Sequence, residues 1–136
     1  MFETFDHTAD VGLRMRATDL DTLFADAARA MFSVMAGDLQ AVRLAEEVHI
    51  TLAADDLDAL LRDWLGELLY TFHVRKLMFA DFTVSVGESG LQGTARGERM
   101  DAARHKLDVE IKAVTWHGLK VERSSEGWLA EVIVDI

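Results

Sequence analysis

The chain has 136 residues, of which half are apolar and 28% are charged, and its formal net charge is −10, from 24 acidic and 14 basic side chains. This length and composition fit one globular domain with a sizeable core and exclude a disordered chain. The negative charge argues against nonspecific nucleic-acid binding by a basic surface, and the absence of cysteine excludes disulfides and thiolate chemistry.

The N-terminal residues show no targeting segment. Residues 1–30 lack the basic start and apolar centre of a signal peptide. No apolar run approaches the roughly 20 residues that are needed to span a bilayer. We therefore expect a soluble protein of the cytoplasm with no membrane partner.

The first elements along the chain are a predicted strand and a predicted helix. Residues 11–17 alternate between apolar and other side chains, which predicts a half-buried strand with Asp10 on the face away from its apolar side. Thr18 is the predicted N-cap of a helix that ends at Gly37. Just before the strand, the stretch Asp6-His7-Thr8-Ala9-Asp10 carries three ionisable side chains, and taken alone it favours a capped turn.

A second strand and a second helix follow an irregular stretch over residues 38–44. Alternation over residues 48–52 predicts the strand. Asp55 or Asp56 is the predicted cap of the helix, and a broad apolar stripe over residues 57–72 predicts its burial. The basic residues at 73, 75 and 76 complement the dipole at the end of the helix.

The remainder of the chain is rich in predicted strands. Alternation over residues 82–86 leads through a hairpin turn at 87–90 to a strand in which Gly93 and Gly97 allow a bulge or a close approach. After a loop over 100–106, further strands are predicted at 107–113, at 116–121 and from Trp128 to Ile136. Early helices and late hairpins predict an α+β fold: a single domain, residues 1–136, with two helices packed on a mostly antiparallel multi-stranded sheet.

The common catalytic motifs are missing from the sequence. Its glycines have no strand–GxGxxG–helix context, and its five histidines include no i, i+4 pair for zinc on a helix. There is also no nucleophile elbow around a serine. A conventional covalent or zinc enzyme is therefore poorly supported.

The last strand ends in an unusual way. Its apolar side chains continue to Ile136, which predicts that the terminal carboxylate is docked in the sheet beside Asp135. If Asp10 lies next to them, three hard oxygen donors converge, and these prefer calcium, magnesium or manganese to zinc. A solvated acidic strand end is the alternative that the spacing leaves open.

Several segments, in order from the first residues to the last, resemble the archease family. They are His7–Gly12, the Leu23-Phe24 helix that ends in Ala30-Met31-Phe32, the acidic-capped helix Asp55–Leu69, Glu110–His117 and the closing Asp135-Ile136. The two outer segments and Lys112–Thr115 are the specific ones. Two positions depart from the family pattern: Val134 stands where proline is common, and Trp116 replaces a tyrosine.

The resemblance implies a protein cofactor without turnover of its own. Members of the archease family assist a GTP-dependent RNA ligase, which acts in tRNA splicing and joins a 3′-phosphate or 2′,3′-cyclic-phosphate end to a 5′-hydroxyl. They accelerate formation of the ligase–guanylate intermediate and restore multiple turnover. The ligase is therefore the expected partner, and stable direct binding of RNA is not expected.

The resemblance also implies site residues. The metal ligands of the family fall on Asp10, Asp135 and the terminal carboxylate of Ile136, with calcium as the expected ion and magnesium or manganese as alternatives. The functional lysine of the family matches Lys112. His7 and His117 are candidates for orienting the metal ligands.

Other interpretations of the same residues stay open. Lys112 could be an exposed strand lysine that solvates a sheet face beside Glu110. A metal-dependent phosphoester hydrolase would use Asp10 and Asp135 as ligands, with His7 or His117 as the base. A chaperone-like binding module is the third alternative.

Overall fold

The secondary structure is described by a computed structural model for residues 1–7 and 10–136, without the side chains of Asp6 and His7. Within these residues the chain forms eight strands, two α-helices and a 3₁₀ turn. In chain order these are β1 (Phe2–His7), β2 (Asp10–Ala17), α1 (Leu20–Ala36), the 3₁₀ turn (Leu39–Ala41), β3 (Glu46–Leu52), α2 (Leu57–Arg75), β4 (Leu77–Gly87), β5 (Gly90–Arg99), β6 (Ala113–Val114), β7 (Lys120–Ser124) and β8 (Gly127–Asp135).

The strands form two antiparallel sheets. One has the order β1-β2-β8-β6, with β7 also paired to β8, and the other has the order β3-β5-β4. Helix α1 contacts β4 of one sheet and β2 of the other, while α2 contacts β3 and β6, so both helices pack between the sheets. The predicted α+β class, with two helices on antiparallel strands, is confirmed, although the strands are divided between two sheets instead of forming one.

Short polar side chains and one glycine set three of the four ends of the α-helices. The N-cap of α1 is Asp19, whose carboxylate accepts a 2.7 Å hydrogen bond from the Thr22 N–H, so the prediction of Thr18 was wrong by one residue. Gly37 ends α1 with a φ of 76°, and Asp56 caps α2, as the sequence predicts. None of the helices in the described ranges is both long and apolar enough to cross a membrane.

A single hydrophobic core joins the helices to both sheets. Trp64 of α2 is fully buried, and its indole N–H donates to the Phe24 carbonyl at 3.0 Å. The indole fills the space above Gly93, where a Cβ would come within 2.5 Å of its Cζ3 atom. At Gly97 a Cβ would collide with the Met78 carbonyl oxygen. Both glycines therefore allow a close approach, which is one of the two roles expected of them.

Two stretches differ from the sequence predictions. Strand β1 was not predicted, yet it pairs with β2 along its whole length. The predicted strand over 107–113 is mostly irregular, since only Ala113 and Val114 form a strand. One reason is that the Asp108 N–H donates to the Met35 carbonyl of α1 at 2.8 Å instead of to a neighbouring strand. Likewise, β7 begins only at Lys120, not at residue 116.

Candidate functional site

Asp10 and Asp135 lie directly opposite each other on the antiparallel strands β2 and β8. Residues opposed in this way project to the same face of a sheet, with Cβ atoms about 5 Å apart. The core sets this register, because Leu13 and Met15 are fully buried and a slip of one residue would turn them towards solvent. The pattern that builds the core therefore also brings the two aspartates together on the outer face.

A second pair on the same two strands has complementary charges. Arg14 lies opposite Glu131, with 2.8 Å between its Nη2 and the carboxylate, and Lys120 of β7 approaches the same carboxylate at 3.1 Å. Burial raises the pKa of Glu131, but hydrogen bonds from Lys120 and Arg14 outweigh it and leave the pKa lowered. Asp10 and Asp135 instead form a pair of like charge, and a cation bound between them would offset their repulsion.

Lys112 is placed beside this aspartate pair by a backbone hydrogen bond. Its N–H donates to the Asp135 carbonyl at 2.7 Å, and the next residue, Ala113, is paired with Asp135 in the sheet. The Lys112 residue is exposed. The fold thus brings Asp10, from the start of the chain, close to Lys112 and Asp135, from its last quarter.

His73 makes a contact in this region that the sequence does not predict. Its Nε2 lies 2.9 Å from the carbonyl oxygen of Ile111, the residue before Lys112, and the Ile111 side chain is fully buried. The sequence pattern alone relates His73 only to the dipole of α2. No local pattern could have found this contact, because it joins residues 38 positions apart.

All the predicted site residues, including Asp10, Asp135 and Lys112, stay predictions as to their roles. Ile136 follows β8, and its partly buried side chain packs against the core. His117 is an exposed residue in the turn after β6, with its backbone N–H 3.3 Å from the Thr115 hydroxyl. The side chain of His7 lies outside the described residues, although its backbone pairs with Asp10.

The predicted metal site has few protein ligands. In the described ranges, no group of three or more histidine or acidic side chains could hold a metal ion. The predicted set instead combines the side chains of Asp10 and Asp135 with the terminal carboxylate at Ile136. Carboxylate oxygens are the donors that calcium and magnesium prefer, so the chemistry of this set fits a hard divalent cation.

A charge cluster around the buried Glu98 holds the irregular segment 100–112, which leads to Lys112. Its other members are Arg104 and His105. Glu98 accepts a 2.6 Å hydrogen bond from the Arg43 backbone N–H and further bonds from the side chains of Arg104 and His105. Chiefly through the Arg43 bond, against an opposing effect of burial, the pKa of Glu98 falls to about 2. The His105 Nδ1 accepts from the Asp101 N–H at 2.8 Å, so the proton of the neutral ring is on Nε2 and faces Glu98.

These features define a small, acidic α+β domain that presents paired carboxylates and one lysine at the end of a sheet, an arrangement suited to binding a cation or a partner. Residues 2–136 match the model of the archease protein family. The chain belongs to the archease family.

Similar proteins cover almost the whole chain. A protein archease from Methanopyrus kandleri is 41% identical, with 99% of each chain covered. One from Pyrococcus furiosus is 36% identical over 99% of this chain and 98% of its own. The solution structure of a Methanobacterium thermoautotrophicum protein matches with a TM-score of 0.85, at 37% identity, over 99% of this chain and 98% of that one.

A more distant structure supports the fold alone. The crystal structure of an archease from Thermotoga maritima, described as a possible chaperone, has a TM-score of 0.67 at 22% identity. It covers the whole of this chain and 98% of its own.

Proposed function

We propose that this protein is a metal-binding cofactor protein that activates a GTP-dependent RNA ligase of tRNA splicing. In this role it promotes guanylylation of the ligase and multiple turnover, and it catalyses no reaction of its own. The observation that carries the proposal is the meeting of Asp10, Asp135 and Lys112 at one end of a sheet. Resemblance to the archease family assigns function to these same positions.

Asp10, Asp135 and the terminal carboxylate at Ile136 would hold the cation, with calcium as the proposed ion and magnesium or manganese as alternatives. A hard cation with few protein ligands supplies positive charge and open positions for a phosphate oxygen or a partner carboxylate. Residues added after Ile136 would displace the terminal carboxylate. Such an extension is therefore expected to weaken metal binding, and unchanged affinity would remove Ile136 from the ligand set.

Lys112 contributes a mobile positive charge next to the aspartate pair. Its backbone is fixed by the hydrogen bond to Asp135, while the exposed side chain can reach a partner. An ammonium group pairs readily with phosphate oxygens as a point charge. In the proposed role, Lys112 enters the nucleotide site of the ligase and pairs with a phosphate of the bound GTP.

The overall charge suits this partner. With a net charge of −10, the protein complements a basic RNA-binding enzyme and repels the RNA backbone. The proposal therefore places the ligase, and not RNA or a membrane, in direct contact with this protein. We keep the cytoplasm as its proposed location, since a chain without cysteine is suited to a reducing compartment.

A chaperone-like role is the second candidate. The Thermotoga maritima relative is described as a possible chaperone. Tyr70 and Val74 lie one turn apart on α2 and are 62% and 59% exposed, while Trp116 is 57% exposed. A client could contact these exposed apolar side chains.

The test measures RNA joining with limiting ligase, which separates the proposed role from both alternatives. We expect several products per ligase molecule when the wild-type protein is added and about one without it. The Asp10→Asn and Lys112→Met variants should fail to restore turnover. Phosphoester hydrolysis by the isolated protein would favour the hydrolase. Suppressed aggregation of unrelated clients that persists in Asp10→Asn would favour the chaperone.

A further inference from the structure

The histidine near the end of α2 holds the backbone next to Lys112. The Nε2 atom of His73 lies 2.9 Å from the Ile111 carbonyl oxygen. A carbonyl oxygen can only accept, so the Nε2 atom must carry the proton and donate it. The neutral ring with this tautomer and the charged ring both satisfy that requirement, so the hydrogen bond does not depend on the charge of His73.

The peptide before Lys112 is fixed from two directions. On one side, α2 holds the Ile111 carbonyl through His73, and the Ile111 side chain is buried in the core. On the other side, the Lys112 N–H donates to the Asp135 carbonyl of β8. Ile111 and Lys112 thus link the end of α2 to the strand that carries a predicted metal ligand.

The chain around Ile111 receives little support from regular secondary structure. Residues 105–112 form neither helix nor strand, and the ladder of β6 begins at Ala113. A lysine side chain is long and flexible, so the place its ammonium group can reach depends on how firmly its backbone is held. The His73 hydrogen bond supplies this restraint where a strand ladder does not.

We propose that His73 is a positioning residue, which holds Lys112 at the distance from Asp135 that the activation of the ligase requires. This inference rests on the proposed function for its kinetic consequence, but its structural part can be measured without the ligase. If His73 contributed only to the stability of α2, its substitution would leave the backbone of Lys112 unaffected.

Three substitutions test the role of the His73 hydrogen bond, and one of them is a control on the other sheet. The ring of His73 packs edge-on against Phe72, with 5.3 Å between the ring centroids, so His73→Phe keeps an aromatic ring and removes the donor. His73→Gln restores an amide N–H close to the position of Nε2. His49→Phe is the control, because His49 is exposed on the other sheet and contacts Thr94 and Glu47.

The first measurement is hydrogen exchange of the Lys112 amide in the free protein. We expect His73→Phe to accelerate this exchange about fivefold, as the loss of one hydrogen bond of ordinary net strength predicts. His73→Gln should stay close to wild type, and His49→Phe should have no effect. Unchanged exchange in His73→Phe would overturn the inference.

The second measurement is the rate of ligase guanylylation as the protein concentration is raised. We expect His73→Phe to lower the maximal rate about fivefold while the half-saturating concentration stays nearly constant, with recovery in His73→Gln. A full maximal rate in His73→Phe contradicts the inference. If the wild-type protein itself gives no acceleration, the proposed function fails, and the exchange of the Lys112 amide decides whether His73 holds Lys112.

Discussion

Ile111 is the anchor of the irregular segment 100–112, and its truncation tests how this segment is attached. The side chain is fully buried, in contrast to Leu107, which is 41% exposed four residues earlier. A regular strand over 107–113 would place both side chains on one face and bury them alike. The structure instead predicts that only Ile111 contributes strongly to stability.

The expected magnitude follows from the atoms that are removed. Ile111→Ala deletes three carbon atoms from a fully buried site. Their transfer to water costs about 2.4 kcal/mol, at about 0.8 kcal/mol for each. The cavity left behind raises the loss of unfolding free energy to about 3 kcal/mol. For a chain of this length, such a loss lowers the melting temperature by about 10 °C.

Urea denaturation and thermal denaturation, followed by circular dichroism, measure this loss. Leu107→Ala is the matched control, and we expect it to cost about 1.4 kcal/mol, roughly half as much, because 41% of Leu107 is already in water and little cavity is left behind. Equal losses for the two variants would refute the anchoring of the segment through Ile111. A loss below about 1 kcal/mol for Ile111→Ala would refute it as well.

Three further predictions concern pH, packing and metal. Because the pKa of Glu98 is lowered from 4.5 to about 2 in the fold, its ionised form stabilises the protein above pH 4.5, and this stabilisation is lost as the pH falls towards 2. Glu98→Gln should therefore lower the melting temperature at pH 7 and approach the wild type at pH 2 to 3. Gly97→Ala places a Cβ against the Met78 carbonyl and should cost about 1–3 kcal/mol by chemical denaturation, whereas Gly87→Ala, in open space, serves as its control. Calcium at 100 times its dissociation constant should stabilise the wild-type protein by about 2.7 kcal/mol in thermal denaturation but not Asp135→Asn.

Each of these measurements can fail. A Glu98→Gln variant whose melting temperature follows the wild type at every pH would show that the charge cluster contributes nothing to acid stability. If the two glycine variants are equally stable, β4 and β5 do not approach as closely as the fold requires. Glu131→Gln is the control for Asp135→Asn and should keep the stabilisation by calcium. If Glu131→Gln also loses this stabilisation, the effect of Asp135→Asn does not identify Asp135 as a specific ligand.

Local signals in the sequence predict the helix caps and the hairpin turn, because residues close together in the chain determine these features. Asp56 as an N-cap, Gly37 as a C-cap and the turn between Gly87 and Gly90 follow from residues within one turn of each other. The position of Asp10 on the outer face also followed, because strand periodicity separates it from the buried side chains. Strand periodicity does not predict that Asp10 pairs with Asp135, because the register of β2 and β8 joins the two ends of the chain.

The elements that were not predicted depend on distant partners. Strand β1 lacks a clean alternation, but Phe5 lies opposite Gly12 and its ring fills the space where a Cβ would stand. Residues 107–113 alternate like a strand, yet Asp108 bonds to α1 and Ile111 to His73. Periodicity indicates a strand here, but it does not specify the distant groups with which the backbone N–H and C=O groups of this segment form their hydrogen bonds.

The most direct test of the proposed role is the rate of ligase guanylylation with GTP and manganese, measured with and without a stoichiometric amount of this protein. We predict that the wild-type protein accelerates the reaction. Asp10→Asn and Lys112→Met, both changes at partly or fully exposed positions, should keep the fold but lose the acceleration. An unchanged rate in the presence of folded wild-type protein would contradict the proposal that it activates the ligase.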